Sequence, residues 1–542
     1  MNMIASIDAI VGMAKEFAWP WSCKKEDGNI GGENGIIIGM VSVLSLIVIS
    51  YWYMFQHRKL RLPPGPRGLP LIGNLLSLEP NLHVYFANLA EVYGPIVKLQ
   101  VGSKIFIVVS STSLTKEVLK DNDAIFANRD APVAALVASY GGVDIGWSAS
   151  NSEWRKLRKV FAHEMLSNKS LDLSYGLRRE EMRKTVTDIH RRKIDTPINF
   201  GEEVFIIILN MIMGMLWGGT LQGEERSKVG AEFQKVIGEL VKLIGRTNVS
   251  DVFPALKIFD IQGIEREAKV LCLWLDRIMD SVIDQRVKLN DTDQTCQSKE
   301  SKKDFLQLLL ELMEQKDAKT QITKTQLKAL YLDIVVAGTE TTSTTIEWVM
   351  TEMMQHPEIM ERVQAELDQV VGNNNTVEES HLSKLHYLDA VVKETFRLHP
   401  VAPLLIPHSP SSSCEIGGYI IPKGATVFCN AWAMQRDAEA WNDPLKFQPE
   451  RFLSDGNVKK FDYNGKNFNY LPFGSGRRIC AGIPLAERML TYVLASLLHS
   501  FDWELPRDTK LDVAETFGIA LKKSTPLVVI PTPRLVNLEL YM

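Results

Sequence analysis

Residues Phe473 to Gly482 read FGSGRRICAG, and this segment is the most informative part of the sequence. One cysteine, Cys480, stands in it behind two arginines and among three glycines. Glycine lets a backbone turn tightly and approach another group at low steric cost. A lone cysteine is usually a small buried hydrophobic residue. A functional interpretation of Cys480 therefore depends on the spacing of the residues around it.

A second motif lies upstream, where Ala337 to Thr342 read AGTETT midway along the apolar-periodic segment 325–355. The period of that segment predicts a long helix. A threonine inside a helix usually bonds back to the carbonyl one turn earlier. Glu340 and Thr341 also place an acid beside an alcohol, which is the expected composition of a proton relay. Thr341 alone would favour the simpler interpretation.

Two shorter patterns each place a pair of side chains about one turn apart on one face of a predicted helix. Glu394 and Arg397 lie at i, i+3 of a predicted helix, where such side chains can pair. Trp154 and Arg158 lie one turn apart on one helix face. The planar fork of an arginine suits carboxylates. Each pattern is weak alone, because surface helices often contain such pairs.

Taken together and in this order, the motifs resemble the cytochrome P450 family. The loop at 473–482 fits Phe-x-x-Gly-x-Arg-x-Cys-x-Gly, the haem-binding loop of that family. The helix motif, the Glu-x-x-Arg pair and the later stretch 449-PERF-452 follow the family's order. The resemblance covers nearly the whole body of the chain. It implies a mainly α fold, the cytochrome P450 fold, which is a helix-rich body with small β-sheets.

The resemblance also implies roles for single residues. Cys480 would bind the iron of haem b as a thiolate, a ligand that pushes electron density onto iron and favours O–O cleavage. Glu340 and Thr341 would be catalytic and relay protons for O2 activation. The remaining cofactor-binding positions would be Trp154, Arg158, His408, Phe473 and Arg478. Glu394, Arg397 and Arg451 would form a buried structural cluster, and for His408 a plain satisfied surface histidine stays an alternative.

Periodicity predicts the remaining elements. Helices are expected at 176–195, 201–217, 228–245, 264–287, 303–316, 325–355, 358–371 and 386–398. Strands are expected at 95–101, 105–110, 418–421 and 526–531. The polar stretches 287–303 and 454–469 are predicted to be exposed loops.

The amino-terminal region predicts a membrane anchor. Residues 36–55 carry no charge and match the ~20 residues that an α-helix needs to cross a bilayer. A basic cluster follows at 57–61, so the positive-inside tendency places the carboxyl-terminal side in the cytosol. The expected organisation is a lumenal tail at 1–35, a transmembrane helix at 36–55, a basic and proline-rich hinge at 56–68, and a haem-thiolate monooxygenase domain at 69–542. This predicts a single-pass protein of the endoplasmic reticulum membrane.

Composition excludes several classes of partner and site. A net charge of -4 gives no basic excess for nucleic acid. Six scattered cysteines argue against a disulfide framework. The histidines do not fall in HExxH or HxxxH spacing.

Because the chain has no GxGxxG motif for a nicotinamide or flavin, its electrons should come from a partner. The resemblance implies NADPH–cytochrome P450 reductase, met by Lys156, Lys159 and Arg477 unless these are merely solvated charges.

The sequence predicts the class of substrate but not the individual compound. The sequence resembles plant microsomal members most, in the group of sesquiterpene, flavonoid 3'- and geraniol 8-hydroxylases. By resemblance the pocket wall includes 129–147, 201–217, Val336 and Ala337, 401–405 and 517–521, stretches that are mostly apolar and suit a lipophilic small molecule. Helix 201–217 could instead be plain core. A terpenoid hydroxylase, most simply of a sesquiterpene, is expected, with a flavonoid hydroxylase as alternative and a haem-thiolate isomerase or dehydratase as a more distant one.

Overall fold

The computed structural model of this chain describes residues 39–47, 61–219, 223–293, 304–315, 320–453 and 461–542. The chain divides into two compact units, Met1–Leu60 and Arg61–Met542. In the first unit, residues 39–47 are helical with exposed side chains. The rest of the predicted lumenal tail and transmembrane helix lies outside the described residues.

The second unit is built mainly of helices. We number them α1 to α17 in chain order: Leu82–Tyr93, Thr112–Lys116, Val133–Ala138, Ser152–Lys159, Asn168–Leu173, Tyr175–Arg192, Phe200–Trp217, Gly223–Gly245, Val249–Val252, Ile264–Asp293, Phe305–Glu314, Lys324–Gln355, Pro357–Val370, Glu379–Leu382, His386–Leu398, Ala431–Met434 and Ile483–Ser500. Short 3-10 and π segments lie between them.

The strands form small sheets. They are numbered β1 to β10: Ile96–Val101, Lys104–Val109, Ile198–Asn199, Cys414–Ile416, Tyr419–Ile421, Thr426–Cys429, Phe501–Glu504, Glu515–Thr516, Lys522–Lys523 and Val528–Pro533. Strand β2 pairs antiparallel with β1 and parallel with β6, and β10 lies between β3 and β7. Strands β4 and β5 form one hairpin, and β8 and β9 form another. The helix-rich body with small sheets confirms the predicted mainly α architecture.

Helix α12 is the longest helix of the body and runs through its core. It begins at a capping box in which Thr323 and Gln326 each bond to the other's backbone amide, which satisfies amides that a helix start leaves free. Helix α7 packs along it. Because α7 is apolar on all sides, it is stable only when buried, and nearly all of its residues from Val204 to Leu216 are buried.

One helix of the described residues is long and apolar enough to cross a membrane, and it is Phe200–Trp217. Of its most apolar window, 78% is buried inside the body. Burial in protein accounts for its composition, so it is a core helix. The structure thus favours the alternative that 201–217 is plain core, since none of its apolar residues lines the two cavities described below.

Most predicted elements are present with shifted ends. The helix predicted at 176–195 ends at Arg192, and Asp195 has a positive φ of 55°. The helix predicted at 264–287 continues to Asp293, so the loop predicted at 287–303 is wrong over its first part. Residues 287–289 are exposed on the end of this helix, and polarity alone cannot distinguish such a helix end from a loop.

Residues 61–68 of the predicted hinge belong to the second unit. The Lys98 amide donates to the Pro64 carbonyl at 2.8 Å, and the Ile420 amide donates to Arg61. A side chain at Gly65 would meet the Lys98 carbonyl at 1.9 Å, so glycine is required for this close approach. The proline-rich segment is therefore held against β1, and the other domain boundaries stay predictions.

Candidate active site

Helix α12 and the cysteine loop, residues 472–482, face each other across a cavity of about 290 Å³, which we call the central cavity. Its wall brings together residues that are far apart in the sequence. Among them are Arg129, Arg158, Asp333, Ala337, Gly338, Thr341, His408, Phe473, Arg478 and Cys480. Of the predicted site residues, Trp154 and Glu340 lie outside this wall.

The backbone of the cysteine loop turns sharply at two glycines. Gly474 and Gly476 have φ of 71° and 68°, which only glycine adopts readily. A side chain on Gly476 would also meet the Leu119 carbonyl at 2.1 Å. The Cys480 amide donates to the Phe473 carbonyl at 3.0 Å and closes the loop. Gly482 does not share this requirement, because any residue adopts its φ of -86°.

The Cys480 thiol points into the central cavity. Protein surrounds the thiol on its other sides, and its accessible surface forms part of the cavity wall. Burial raises the pKa of the thiol, while the Gly482 amide, Arg158 and the Ile483 amide act in the opposite direction. The Gly482 amide donates to Sγ at 3.3 Å where α17 begins. Amides at a helix start and a nearby cation favour a thiolate.

Cations gather on one side of the cavity. Arg478 donates to the carbonyls of Ala127 at 2.6 Å and Ile145 at 3.1 Å, and to that of Ser148. Arg158 donates to the Ile479 carbonyl. Burial, with Arg158 as a like charge beside it, lowers the pKa of Arg478 to about 10. Both guanidinium groups thus bond to neutral carbonyls. Because a carbonyl does not neutralise a cation, the positive charge of each arginine remains available to an anion.

Arg129 is a third cation on this wall, which the sequence did not single out. Burial first, and then the charge of Arg478, lowers its pKa to about 9. It donates to the carbonyl of Pro407 at 3.0 Å, and its buried Nε has no partner among the described residues. No motif surrounds Arg129, so only its inclusion in the segment 129–147 pointed to it.

Trp154 supports the cationic side from behind. Its indole N–H donates to the Ile145 carbonyl at 3.1 Å, and its ring lies 4.2 Å from the guanidinium carbon of Arg478. The face of a tryptophan attracts such a cation. The structure therefore places Trp154 against Arg478, with its donor already used.

His408 and Phe473 both line the cavity. His408 Nδ1 is bonded to the Phe126 carbonyl at 2.8 Å. Burial and the charge of Arg129 hold the pKa of its imidazole well below the usual value, so it is neutral. Phe473 packs edge-to-face on Phe396 at 5.2 Å, beneath the cysteine loop. His408 is thus a buried residue, and the surface alternative is wrong.

The α12 face of the cavity carries small and hydroxyl side chains. Ala337 and Thr341 are exposed to the cavity. A side chain at Gly338 would meet Ile212 of α7 at 2.9 Å. The packing of α7 behind α12 therefore leaves no room for a larger residue at this position. The Thr341 hydroxyl donates to the Ala337 carbonyl at 2.6 Å. Its oxygen can still accept a hydrogen bond from the cavity.

Glu340 points to the other side of α12. Its buried carboxylate forms an ion pair with Lys522 of β9. Lys522 lines a second cavity of about 930 Å³, between α8 and the segment 516–522. Of the acid and the alcohol that are adjacent in sequence, Thr341 therefore faces the central cavity, and Glu340 pairs with a lysine that lines the second one.

The predicted charge cluster behind the loop is confirmed. Arg397 bonds to both carboxylate oxygens of Glu394, at 2.7 and 2.9 Å, and both side chains are fully buried. Arg451 reaches the same carboxylate at 3.3 Å. The cluster lies between α15 and the segment 444–451 and does not line the central cavity.

A family model described as Cytochrome P450 matches residues 63–530. The chain belongs to the cytochrome P450 family. Sugiol synthase of Salvia miltiorrhiza is 37% identical to it, over 91% of this chain and 98% of that protein. A flavonoid 3'-monooxygenase of Crocosmia x crocosmiiflora is 37% identical, over 91% and 97%. A zebra fish cytochrome P450 structure with abiraterone superposes with a TM-score of 0.69 and 27% identity, covering 84% of this chain and 99% of that one.

This P450 is thus a monooxygenase of the plant type, and its cofactor is haem with a cysteine thiolate ligand, as the family implies. The central cavity fits that group. It presents one thiol beside helix-start amides, and cations including the unpaired Arg129 Nε at one side, where the two acidic groups of a haem would be neutralised.

Proposed function

We propose that this P450 hydroxylates a lipophilic terpenoid, using O2 and electrons from NADPH delivered by a reductase. The observation that carries the proposal is the apolar part of the central cavity, formed by Ile334, Ala337, Val401, Ala402 and Leu405 beside the cysteine loop. Such a wall suits a largely uncharged substrate. The similarity to sugiol and ferruginol synthases supports the terpenoid class.

A flavonoid hydroxylase is the second candidate, because flavonoid 3'-monooxygenase is as similar as sugiol synthase. Expression in microsomes with a reductase, followed by feeding of terpene and flavonoid panels, separates the two. We expect a product one oxygen atom heavier from a terpene and none from the flavonoids. Oxidation of flavonoids alone would overturn the terpenoid assignment. An isomerase would convert substrate without NADPH.

Cys480 is the proposed thiolate ligand of the haem iron. Bound in this way, haem supplies the oxidant for O2-dependent hydroxylation. Arg129, Arg158 and Arg478 would hold its propionates, and neutral His408 would pack beside them. Trp154 would keep the Arg478 guanidinium in place, since its own N–H is bonded to Ile145. Phe473 would cover the thiolate side.

Glu340 and Thr341 are the proposed proton relay. The Thr341 hydroxyl is the member of the pair that faces the central cavity, so it would give the proton to the reacting oxygen. Glu340 would restore that proton once its own carboxylate has taken one up from the Lys522 ammonium, which solvent in the second cavity would then reprotonate.

Thr341→Ala is expected to uncouple the reaction. NADPH and O2 are still consumed, while hydroxylated product falls and hydrogen peroxide rises. Loss of a general acid–base group commonly costs ~10²–10⁴ in rate, and we expect about tenfold because water can stand in for a hydroxyl. The ratio of product to NADPH oxidised measures this effect.

Thr339→Ala is the matched control. Thr339 makes the same back-bond, to Val335 at 2.6 Å, but is buried away from the central cavity. Its coupling should equal that of the wild type. Unchanged coupling in Thr341→Ala would return Thr341 to the role of a helix threonine bonded to its own backbone.

The proposed electron donor is the membrane-bound NADPH–cytochrome P450 reductase, docking through basic residues. Lys159 is exposed. Lys156 pairs with Glu153 at 2.7 Å, and Arg477 pairs with Asp123 at 3.3 Å. Each pair has one largely exposed member and is therefore weak, so an acidic partner could replace the carboxylates.

The proposed location is the endoplasmic reticulum membrane, with residues 36–55 as a single anchor and the catalytic domain in the cytosol. Deleting residues 1–55 is expected to release most of the protein from membranes with its haem retained, since the cavity lies wholly in the second unit. Alkaline carbonate washing measures the release from membranes, and the reduced CO spectrum measures the retained haem. A deletion variant that stays in the pellet would show that another segment is integral.

A further inference from the structure

Asp333 is a carboxyl group on the wall of the central cavity that the proposed reaction does not use. It lies on α12 one turn before Ala337 and two turns before Thr341, which places it ~12 Å along the helix from the relay hydroxyl. Its side chain is partly accessible, and that surface belongs to the cavity. An acid in this position borders the space that a substrate would occupy.

Among the described residues, only one of its two carboxyl oxygens has a hydrogen-bond partner. Oδ2 accepts from the Ile145 amide at 2.9 Å, and no described residue donates to Oδ1. Gly146, which also lines the cavity, leaves room beside it, because a side chain there would lie 3.6 Å from Oδ1. Oδ1 is therefore open to a ligand.

A second buried carboxyl group, Asp144, adds to the effect of burial on the protonation of Asp333. The same Gly146 side chain would lie 3.2 Å from Oδ2 of Asp144, so the two acids border one site. Burial raises the pKa of Asp144 to about 6, although the amides of Trp147 at 3.0 Å and Ser148 at 2.9 Å donate to its carboxyl group and favour its charged form. Burial, followed by the charge of Asp144, raises the pKa of Asp333 well above its usual value. Asp333 is the member of the pair that keeps its proton.

A carboxylic acid donates one hydrogen bond through its O–H. The same cavity wall carries the apolar residues Ile334, Val401 and Leu405. A hydrocarbon bound there would leave the O–H without a partner, whereas an alcohol or ketone would accept from it. A buried donor left unpaired weakens binding by roughly tenfold or more.

We propose that Asp333 hydrogen-bonds an oxygen atom of the substrate, so that this P450 selects terpenoids that already carry a hydroxyl or carbonyl group. The inference rests on the proposed terpenoid function and narrows its substrate class. An earlier oxidation, or a hydrolysis that releases an alcohol, must supply such a substrate.

The test compares farnesol with farnesene, a matched alcohol and hydrocarbon, by the spectral shift on binding to the haem-loaded protein. The wild type should bind farnesol at least ~10-fold more tightly. Asp333→Leu should lose this preference, mainly through weaker farnesol binding. Asp333→Asn should keep it, because an amide provides an acceptor for the Ile145 N–H and a donor for the alcohol.

The reduced CO spectrum of each variant verifies that the haem site is intact, so lost selectivity is separated from misfolding. A preference retained in Asp333→Leu, or absent in the wild type, would overturn the role of Asp333. Failure of the terpenoid assignment gives a different result, because then neither terpene shifts the wild-type spectrum, and both proposals fall.

Discussion

Replacing Cys480 by serine is expected to abolish the thiolate-ligated haem. Serine is a poor iron ligand in this setting and cannot donate the electron density of a thiolate. The replacement fits sterically, since it changes only sulfur to oxygen, and the loop is closed by backbone contacts such as that of the Cys480 amide with Phe473. The loss should therefore concern the ligand and hydroxylase activity more than the fold.

The reduced CO-bound spectrum of Cys480→Ser measures this change. Cys272→Ser is the control, because Cys272 is a half-buried thiol of α10 that does not line the central cavity. It should keep the wild-type Soret maximum and activity. A Cys480→Ser protein with the thiolate Soret maximum would remove Cys480 as the ligand.

Replacing Arg397 by alanine is expected to prevent accumulation of the folded protein. Arg397 donates to Glu394 and to the carbonyls of Gln435 at 2.8 Å and Pro444 at 2.7 Å. Removing it leaves these acceptors short of donors and the Glu394 charge buried. Breaking a buried pair in this way costs about 3–5 kcal/mol of the free energy of unfolding, a large part of the stability of a typical protein.

Arg362→Ala is the matched control for Arg397. Arg362 also pairs with a glutamate, Glu450, but the two side chains are 53% and 51% exposed. Such a pair contributes only ~0–1 kcal/mol. Haem-bound yield and the urea midpoint should therefore fall strongly for Arg397→Ala and little for Arg362→Ala. Equal effects would contradict the structural role assigned to the buried cluster.

Motifs and periodicity predicted much of this protein because they are local. The cysteine loop, the AGTETT helix and the Glu394–Arg397 pair each lie within one loop or one helix. The long apolar periods likewise predicted most helices of the body. Errors fell where the local signal is ambiguous, as at the polar end of the helix Ile264–Asp293.

Motifs and periods within short segments were enough to predict the family, the mainly α fold and the cysteine expected to bind haem, since each depends on residues close together in the chain. The packing of the folded chain was needed to show that Glu340 pairs with Lys522, that Arg129 joins Arg478 at the cavity, and that α7 is core. It also decided that Asp333 meets Asp144. The physical reason is that these contacts join segments up to hundreds of residues apart, and the packing of helices around α12, rather than any spacing within one segment, brings them together.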